Sequence, residues 1–383
     1  MTAPHRRFLP LLALASVAPW VAVGLGVARG KAPPGWLGWD LASFRVASQL
    51  WLHHQPLYDF AAQAQAHERA FGPAFDVPYP FSYPPIFAIE LAPLAELPQS
   101  PAFAVVWFAS LVVLAIAARR VTGRLSDALW VTASFPGLLA LLAGQFVFFA
   151  LGILVATHAL LRRERPVTAG LVASLLAFKP QLLLFLPLVF AMQRRARRGL
   201  FGLAAGVAAQ LAICLVAAPS DTRAFPAALG RFNSYVATHF KDTLSFTWRA
   251  FFALALPGHG TLAAGCAAVA MVACAAVGVV AMWRARADTD ACLAIAVLAT
   301  LASTWHCAPY DWVLLALPAW LLLPRTSPSR GALRAIGLLY IGVWGFVALA
   351  DVQRSAFGVA LHPAMPALCG LSFWLVRSSR IAV

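Results

Sequence analysis

Residues 101–118 read PAFAVVWFASLVVLAIAA, eighteen positions without a charged side chain. A helix rises about 1.5 Å per residue, so a run of this length nearly covers the roughly 30 Å hydrocarbon core of a bilayer. Arg119 and Arg120 follow at once, and basic clusters of this kind mark the cytoplasmic ends of spans. The stretch therefore predicts a membrane-spanning helix.

The composition of the whole chain predicts an all-α polytopic membrane protein. Of the 383 residues, 61% are hydrophobic and 11% are charged, whereas soluble domains carry about 25% charged residues. The net charge of +15 comes almost entirely from arginine, placed in short clusters between apolar runs rather than in a basic stripe. We therefore expect membrane lipids around the chain and no nucleic-acid partner.

The apolar runs predict about twelve transmembrane helices in one domain, residues 1–383. Two segments, 83–98 and 167–192, are ambiguous, because the first is short and the second is interrupted by Lys179-Pro180. If 83–98 dips in and returns, and 167–192 forms two half-spans, every arginine cluster becomes cytoplasmic. The other expected spans are 8–28, 101–118, 125–143, 146–161, 199–218, 260–283, 289–305, 308–323, 331–350 and 358–376.

This arrangement places the polar parts of the chain on the non-cytoplasmic face. They are a first loop at 29–82 with juxtamembrane helices, a second polar loop at 219–247, and the single residues Gln145, Lys179 and His306. Polar groups gathered at one interface of an apolar protein indicate a functional site. We predict a multi-pass membrane protein whose active site lies on the non-cytoplasmic face.

Asp40 is the leading catalytic candidate. It stands at the start of a short helix expected to reach about His54, in which apolar residues such as Phe44 and Ala47 recur at three- and four-residue spacing. That spacing predicts an amphipathic helix lying flat on the outer interface. Two roles remain open for Asp40, namely a cap on this helix and a carboxylate base at membrane depth.

Three basic residues later in the chain are candidates for an anionic ligand. Lys179 interrupts an apolar segment, where a buried ammonium requires either a phosphate or a carboxylate partner. His306 either donates to a phosphate or anchors the chain at the interface. Arg249 either meets an anionic headgroup or belongs to an interfacial belt.

Neither a metal nor a cofactor is expected. The adjacent His53 and His54 point about 100° apart on a helix and cannot easily bind one ion, and no DxD or DxE pair accompanies Asp40. The six cysteines include no CxxC pair, so no zinc site or disulfide framework is indicated. The candidate substrate contacts are Tyr58, Tyr83, Gln145 and Tyr310, although Gln145 alternatively fills only a polar turn.

Five motifs in a fixed order resemble glycosyltransferase family 87 of the GT-C superfamily, over residues 10–325. They are WDLASFRVASQLWLHHQPLYDF (39–60), FSYPPIFAIELAPLAELP (81–98), AGQFVFFALGIL (143–154), AGLVASLLAFKPQLLLFLPL (169–188) and STWHCAPYDWVLLALP (303–318). The resemblance implies a GT-C fold and a reaction similar to that of polyprenol-phosphate-mannose-dependent α-1,2-mannosyltransferases or arabinofuranosyltransferases.

The same resemblance implies roles for single residues. Asp40 matches the catalytic base, Lys179 matches the family's Lys-Pro, and His306 matches a late His near the donor phosphate. Arg249 matches an Arg that follows an Asn-x-Ser motif in many relatives, and we expect Lys179, His306 and Arg249 to bind the donor phosphate. The chain departs from the family at Thr243-Leu244-Ser245, where many relatives carry Asn-x-Ser.

We therefore expect a metal-independent, inverting hexosyltransferase. It would transfer a hexose or a pentose, with mannose expected, from a polyprenyl phosphate to a glycolipid or glycan acceptor. The resemblance also implies the bacterial inner (plasma) membrane, with the active site facing the periplasm or the cell exterior. The alternatives are a transporter or flippase of lipid-linked glycans and an inactive family member that acts as a partner protein.

Overall fold

The computed structural model describes residues 37–71, 80–239, 242–326 and 329–379, and every regular element in these ranges is a helix. The chain divides into two compact units, the first made of Met1–Gly152 and Gln210–Ser234 and the second of Ile153–Ala209 and Tyr235–Val383. The expected span 8–28 lies outside the described residues. A single domain over 1–383 stays a prediction.

Eighteen α-helices occur in the described ranges. The first eight are α1 (Trp39–Leu52), α2 (Phe60–Phe71), α3 (Pro85–Glu90), α4 (Ala92–Ala95), α5 (Gln99–Thr122), α6 (Ser126–Ala133), α7 (Phe135–Ala143) and α8 (Val147–Arg162). The next five are α9 (Pro166–Ser174), α10 (Leu186–Met192), α11 (Gly199–Ala217), α12 (Pro219–His239) and α13 (Trp248–Ala255). The last five are α14 (Gly260–Arg284), α15 (Thr289–Ser303), α16 (Ala316–Leu322), α17 (Arg330–Phe357) and α18 (Ala364–Ser378).

Three of these helices, α5, α11 and α14, are long and apolar enough to cross a membrane by themselves. They confirm the expected spans 101–118, 199–218 and 260–283 as continuous helices. Several other apolar helices, among them α8 and α15, are shorter than 18 residues. An all-α membrane protein is therefore confirmed, and the number of twelve spans stays a prediction.

The expected span 125–143 is not one straight helix. It consists of α6 and α7, which meet at an angle of 75°. The Ser134 hydroxyl accepts a hydrogen bond from the Gly137 amide at 3.2 Å, and Pro136 lies in the first turn of α7. A serine cap followed by proline is a strong helix start, so the chain begins a new helix here.

Neither of the two ambiguous segments forms one continuous helix, and the expected return of 83–98 within the membrane stays a prediction. Residues 83–98 contain only the six-residue α3 and the four-residue α4. Residues 167–192 contain α9 and α10, with 3₁₀ turns at Leu175–Phe178 and Pro180–Leu183 on either side of Lys179. The break at Lys179-Pro180 is thus confirmed. Its cause is that proline has no amide hydrogen and clashes with the preceding turn of a helix.

The expectation that α1 exposes a polar face is wrong, whereas its position flat on the membrane interface stays a prediction. Ten of its fourteen residues are buried, including the polar Asp40, Arg45 and Ser48. The helix packs against α2, α3, α4 and α7. Apolar spacing alone misled here, because the polar face of α1 is covered by protein groups that form hydrogen bonds with it instead of by water.

Candidate active site

Asp40 lies in the first turn of α1, and its carboxylate faces Gln145 in the turn between α7 and α8. Its Oδ2 atom accepts a hydrogen bond of 2.8 Å from the side-chain Nε2 of Gln145, and both residues are buried. The residue that caps α1 is Gly38, which has no side chain to cap with. The alternative in which Asp40 serves as the helix cap is therefore wrong.

The backbone holds Gln145 against α1. Gly144 ends α7 with a positive φ of 69°, and a Cβ atom built there would lie 2.7 Å from the Leu41 Cβ. The Gly38 amide donates to the Leu142 carbonyl at 2.6 Å. The tight α7–α8 turn thus rests directly on the first turn of α1, and this contact is what brings the Gln145 amide to Asp40.

Four aromatic rings adjoin this pair, and we call them the aromatic cluster: Phe44, Tyr83, Phe87 and Phe146. Phe44 stands 5.0 Å from both Tyr83 and Phe87 between ring centroids, and Phe87 stands 5.1 Å from Phe146. The Tyr83 hydroxyl lies 3.5 Å from Gln145 Nε2. Since Phe44 follows Asp40 by one helical turn and Phe146 follows Gln145 directly, the cluster limits water around the pair.

Tyr58 contacts the segment 80–85, which leads into α3. Its hydroxyl donates to the Tyr83 carbonyl at 2.7 Å, and its side chain is buried. The Asp221 carboxylate accepts from the neighbouring Leu57 amide at 2.9 Å. The Tyr58 hydroxyl therefore contacts the backbone of Tyr83 and helps to position that residue.

Arg45 is a residue whose role the sequence did not reveal. Its guanidinium donates to the carbonyls of Leu94, Ala95 and Leu97 and to the side chain of Gln99. These carbonyls lie at and just after the end of the short α4, where a helix leaves its last acceptors without partners. The sequence contained an indication of this role, because proline interrupts the apolar segment 83–98. Backbone carbonyls at such an interruption need hydrogen-bond donors from elsewhere in the chain.

Lys179 forms a buried ion pair within the second unit. Its Nζ atom contacts Asp311 Oδ1, and both residues are 3% exposed. The other carboxylate oxygen of Asp311 accepts from the Ala308 amide at 2.9 Å, and Lys179 Nζ lies 5.3 Å from the centre of the Tyr310 ring. A salt-bridge partner for Lys179 is thus confirmed, while its phosphate role stays a prediction.

His306 lies in the loop that follows α15, near the same charges. Burial by the surrounding protein lowers the pKa of His306 to about 4, with Asp311 opposing this shift and Lys179 and Arg249 adding to it. Its imidazole is therefore neutral at pH 7. The Thr304 hydroxyl donates to the His306 carbonyl at 3.1 Å and helps to hold the loop.

Arg249, near the start of α13, also has a carboxylate partner. Its guanidinium donates to Asp242 Oδ1 at 2.8 Å. The second unit therefore groups the predicted Lys179, His306, Arg249 and Tyr310, and the first unit groups Asp40, Tyr58, Tyr83 and Gln145. Among the described residues no group of three or more His, Cys, Asp or Glu side chains could hold a metal ion, and metal independence stays a prediction.

The family model described as Glycosyltransferase family 87 matches residues 81–318, more than half of the chain. The chain belongs to glycosyltransferase family 87. Searches of curated proteins and of solved structures found no significant match. The resemblance identified from the five motifs is thus confirmed, and the family favours a glycosyltransferase over a transporter.

Family membership shows that this glycosyltransferase uses a sugar donor and an acceptor. The matched range includes most of the candidate residues, namely Tyr83, Gln145, Lys179, Arg249, His306 and Tyr310. Asp40 and Tyr58 precede it. The hydrogen bond from Gln145 connects Asp40 to the matched range.

Proposed function

We propose that this glycosyltransferase transfers a sugar, expected to be mannose, from a polyprenyl-phosphate donor to a glycolipid or glycan acceptor. The reaction would take place at the outer face of the bacterial plasma membrane and would invert the anomeric centre. The observation that supports this best is the Asp40 carboxylate, which is buried beside the aromatic cluster and bonded to a neutral amide. A positioned aspartate carboxylate is one of the groups that act as general bases.

In the proposed step, Asp40 takes the proton from the acceptor hydroxyl. The acceptor oxygen then forms a bond to the anomeric carbon, while the bond from that carbon to the phosphate oxygen breaks. The electron pair leaves with the polyprenyl phosphate. Because attack and departure occur on opposite faces of the sugar, a β-linked donor gives an α-linked product.

We assign the donor phosphate to Lys179, His306 and Arg249. Their grouping in the second unit supports this assignment, since Lys179 and Arg249 both act electrostatically on His306. Lys179 and Arg249 are already paired with Asp311 and Asp242, so an arriving phosphate competes with carboxylates for these cations. Charge stabilisation of the departing phosphate is then the main electrostatic contribution.

The sugar contacts are assigned to tyrosines and to Gln145. Tyr83 and Tyr310 are partly exposed, and a tyrosine offers both an apolar face and a hydroxyl to a sugar ring. Tyr58 contributes through the Tyr83 backbone that it holds. The proposal includes no metal or cofactor, since the lipid-linked sugar is itself the substrate.

The decisive experiment compares Asp40→Asn with wild type in a sugar-transfer assay, using purified protein and a radiolabelled polyprenyl-phosphate mannose. Asparagine keeps the size of the side chain but cannot take a proton, so turnover is expected to fall about 10²–10⁴-fold. The control is Asp59→Asn, because Asp59 is an exposed carboxylate that accepts from the Ala61 amide at the start of α2, a bond that asparagine can also form. That variant should keep its activity.

Two results would overturn the proposal. An Asp40→Asn protein that folds and retains most of its turnover would exclude Asp40 as the base. A wild-type protein that transfers no sugar from any polyprenyl-phosphate donor would favour the inactive partner protein instead.

A further inference from the structure

Both polar atoms of the Gln145 side-chain amide form hydrogen bonds. Its Oε1 atom accepts from the Phe146 amide at 3.3 Å, while its Nε2 atom donates to Asp40 Oδ2 at 2.8 Å. A main-chain N–H group can only donate a hydrogen bond, and an ionised carboxylate can only accept one. The two neighbours therefore fix the same orientation of the side-chain amide, with its N–H groups toward Asp40.

The turn that bears Gln145 has little freedom to move. Its own backbone amide donates to the Ala140 carbonyl at 2.9 Å, and Gly144 before it fits closely against Leu41. Gln145 is 3% exposed, so water does not easily replace the amide at the carboxylate. The hydrogen bond is thus built into the packing of α7 against α1.

The burial of both partners strengthens the hydrogen bond from Gln145 to Asp40. A bond to a charged acceptor is roughly twice as strong as a neutral one, and a low local dielectric strengthens it further. The other ionisable groups on α1 and on the helices packed against it include Arg45, His67, Glu68, Arg69 and Glu90. Arg45 is engaged with the carbonyls after α4.

We propose that Gln145 is a positioning residue that acts through Asp40. Its hydrogen bond favours the ionised form of the Asp40 carboxylate and orients the carboxylate that receives the proton. This inference rests on the proposed function, because it presupposes that Asp40 is the base. It replaces a direct sugar contact as the main role of the Gln145 amide.

The test measures the pH dependence of kcat/KM for wild type, Gln145→Met and Gln145→Glu. Methionine keeps the length but removes the donor, and a lost bond to a charged acceptor should move the acid limb upward by about one to two pH units. Glutamate has the same shape but places a second carboxylate at Asp40, so the two share a proton and the limb moves upward as well. The matched control is Gln49→Met, since the Gln49 amide donates to the Ala95 carbonyl.

An acid limb that stays at the wild-type pH in both folded Gln145 variants would overturn the inference. If the glutamate variant is unstable, its melting temperature should rise as the pH falls, because the shared proton restores the hydrogen bond. Instability that does not change with pH would show a purely structural role.

The Asp40→Asn variant separates this inference from the proposed function. If Asp40→Asn remains active, Asp40 is not the base and the proposed function fails. If Asp40→Asn is inactive and the acid limb of the kcat/KM profile stays at the wild-type pH in the Gln145 variants, only the positioning role fails. In the Asp40→Asn background, Gln145→Met should lower the residual activity no further.

Discussion

Asp40 and Asp311 are both buried aspartates, but their partners give them different chemical properties. Asp311 contacts the ammonium of Lys179 and the Ala308 amide, so a cation stands directly beside its carboxylate. Asp40 accepts from a neutral amide. A base must be able to take up a proton during the reaction, and the ammonium in direct contact with Asp311 opposes this there.

The Lys179–Asp311 pair leads to a prediction about stability. Lys179→Met leaves the Asp311 carboxylate buried without its cation, and such a change typically costs about 3–5 kcal/mol. We expect the variant to melt well below wild type in detergent, and the double variant Lys179→Met/Asp311→Asn to recover part of the loss. Thermal unfolding of the three proteins measures both effects.

The control for this prediction is Arg195→Met. Arg195 pairs with Glu164 at 3.0 Å, but both side chains are largely exposed, and such pairs contribute about 1 kcal/mol or less. An unchanged melting temperature for Lys179→Met would contradict the buried pair. Full transfer activity in the double variant would show that Lys179 has only a structural role.

At the level of elements, the site depends on helices that end early. The segment 83–98 is divided into α3 and α4, and Arg45 binds the carbonyls that this division leaves at its end. The α7–α8 turn is similarly tight and carries Gln145. Short, interrupted helices thus supply the loops that hold the polar groups, while α5 remains a plain apolar span.

The close contact between α7 and α1 can be tested at Gly144. Gly144→Ala puts a Cβ atom 2.7 Å from the Leu41 Cβ at a position with φ of 69°. A left-handed conformation alone costs an alanine about 1–2 kcal/mol, and the clash should add to this. We expect both the melting temperature and the transfer activity to fall.

Gly123→Ala is the matched control for that prediction. Gly123 also ends a helix with a positive φ, of 76°, but a Cβ atom there meets nothing within 4 Å. Its alanine variant should show the backbone cost without the clash and should retain activity. Equal losses in the two variants would mean that α7 does not pack tightly on α1.

At the scale of the whole molecule, orientation in the membrane decides which solvent the site faces. The arginine clusters predict that the first polar loop and the 219–247 loop are outside. A membrane-impermeant maleimide should therefore label Gln65→Cys and Asn233→Cys in intact cells, and Ser126→Cys and Ser329→Cys only after the membrane is opened. All four positions are exposed.

The parent protein supplies the background for this experiment, because the cysteines Cys214, Cys266, Cys274, Cys292, Cys307 and Cys369 are buried or partly buried. The opposite labelling pattern would place the first loop in the cytoplasm. The proposed periplasmic or exterior site would then be excluded.

Sequence patterns determined the class of the protein and several of its local features. Apolar runs predicted α5, α11 and α14, and the Lys179-Pro180 dipeptide predicted the break between α9 and α10. These features depend on the hydrophobicity of a continuous segment or on the missing amide hydrogen of proline, and both are local properties. The order of five motifs was sufficient for the family.

Tertiary structure alone decided which groups meet. Asp40 and Gln145 are 105 residues apart in the chain, and Lys179 and Asp311 are 132 apart. It also decided that α1 is buried, although its apolar spacing had predicted a helix with an exposed polar face. Hydrogen bonds and ion pairs between distant residues form only after the helices pack, because packing removes the water that would otherwise satisfy those polar groups.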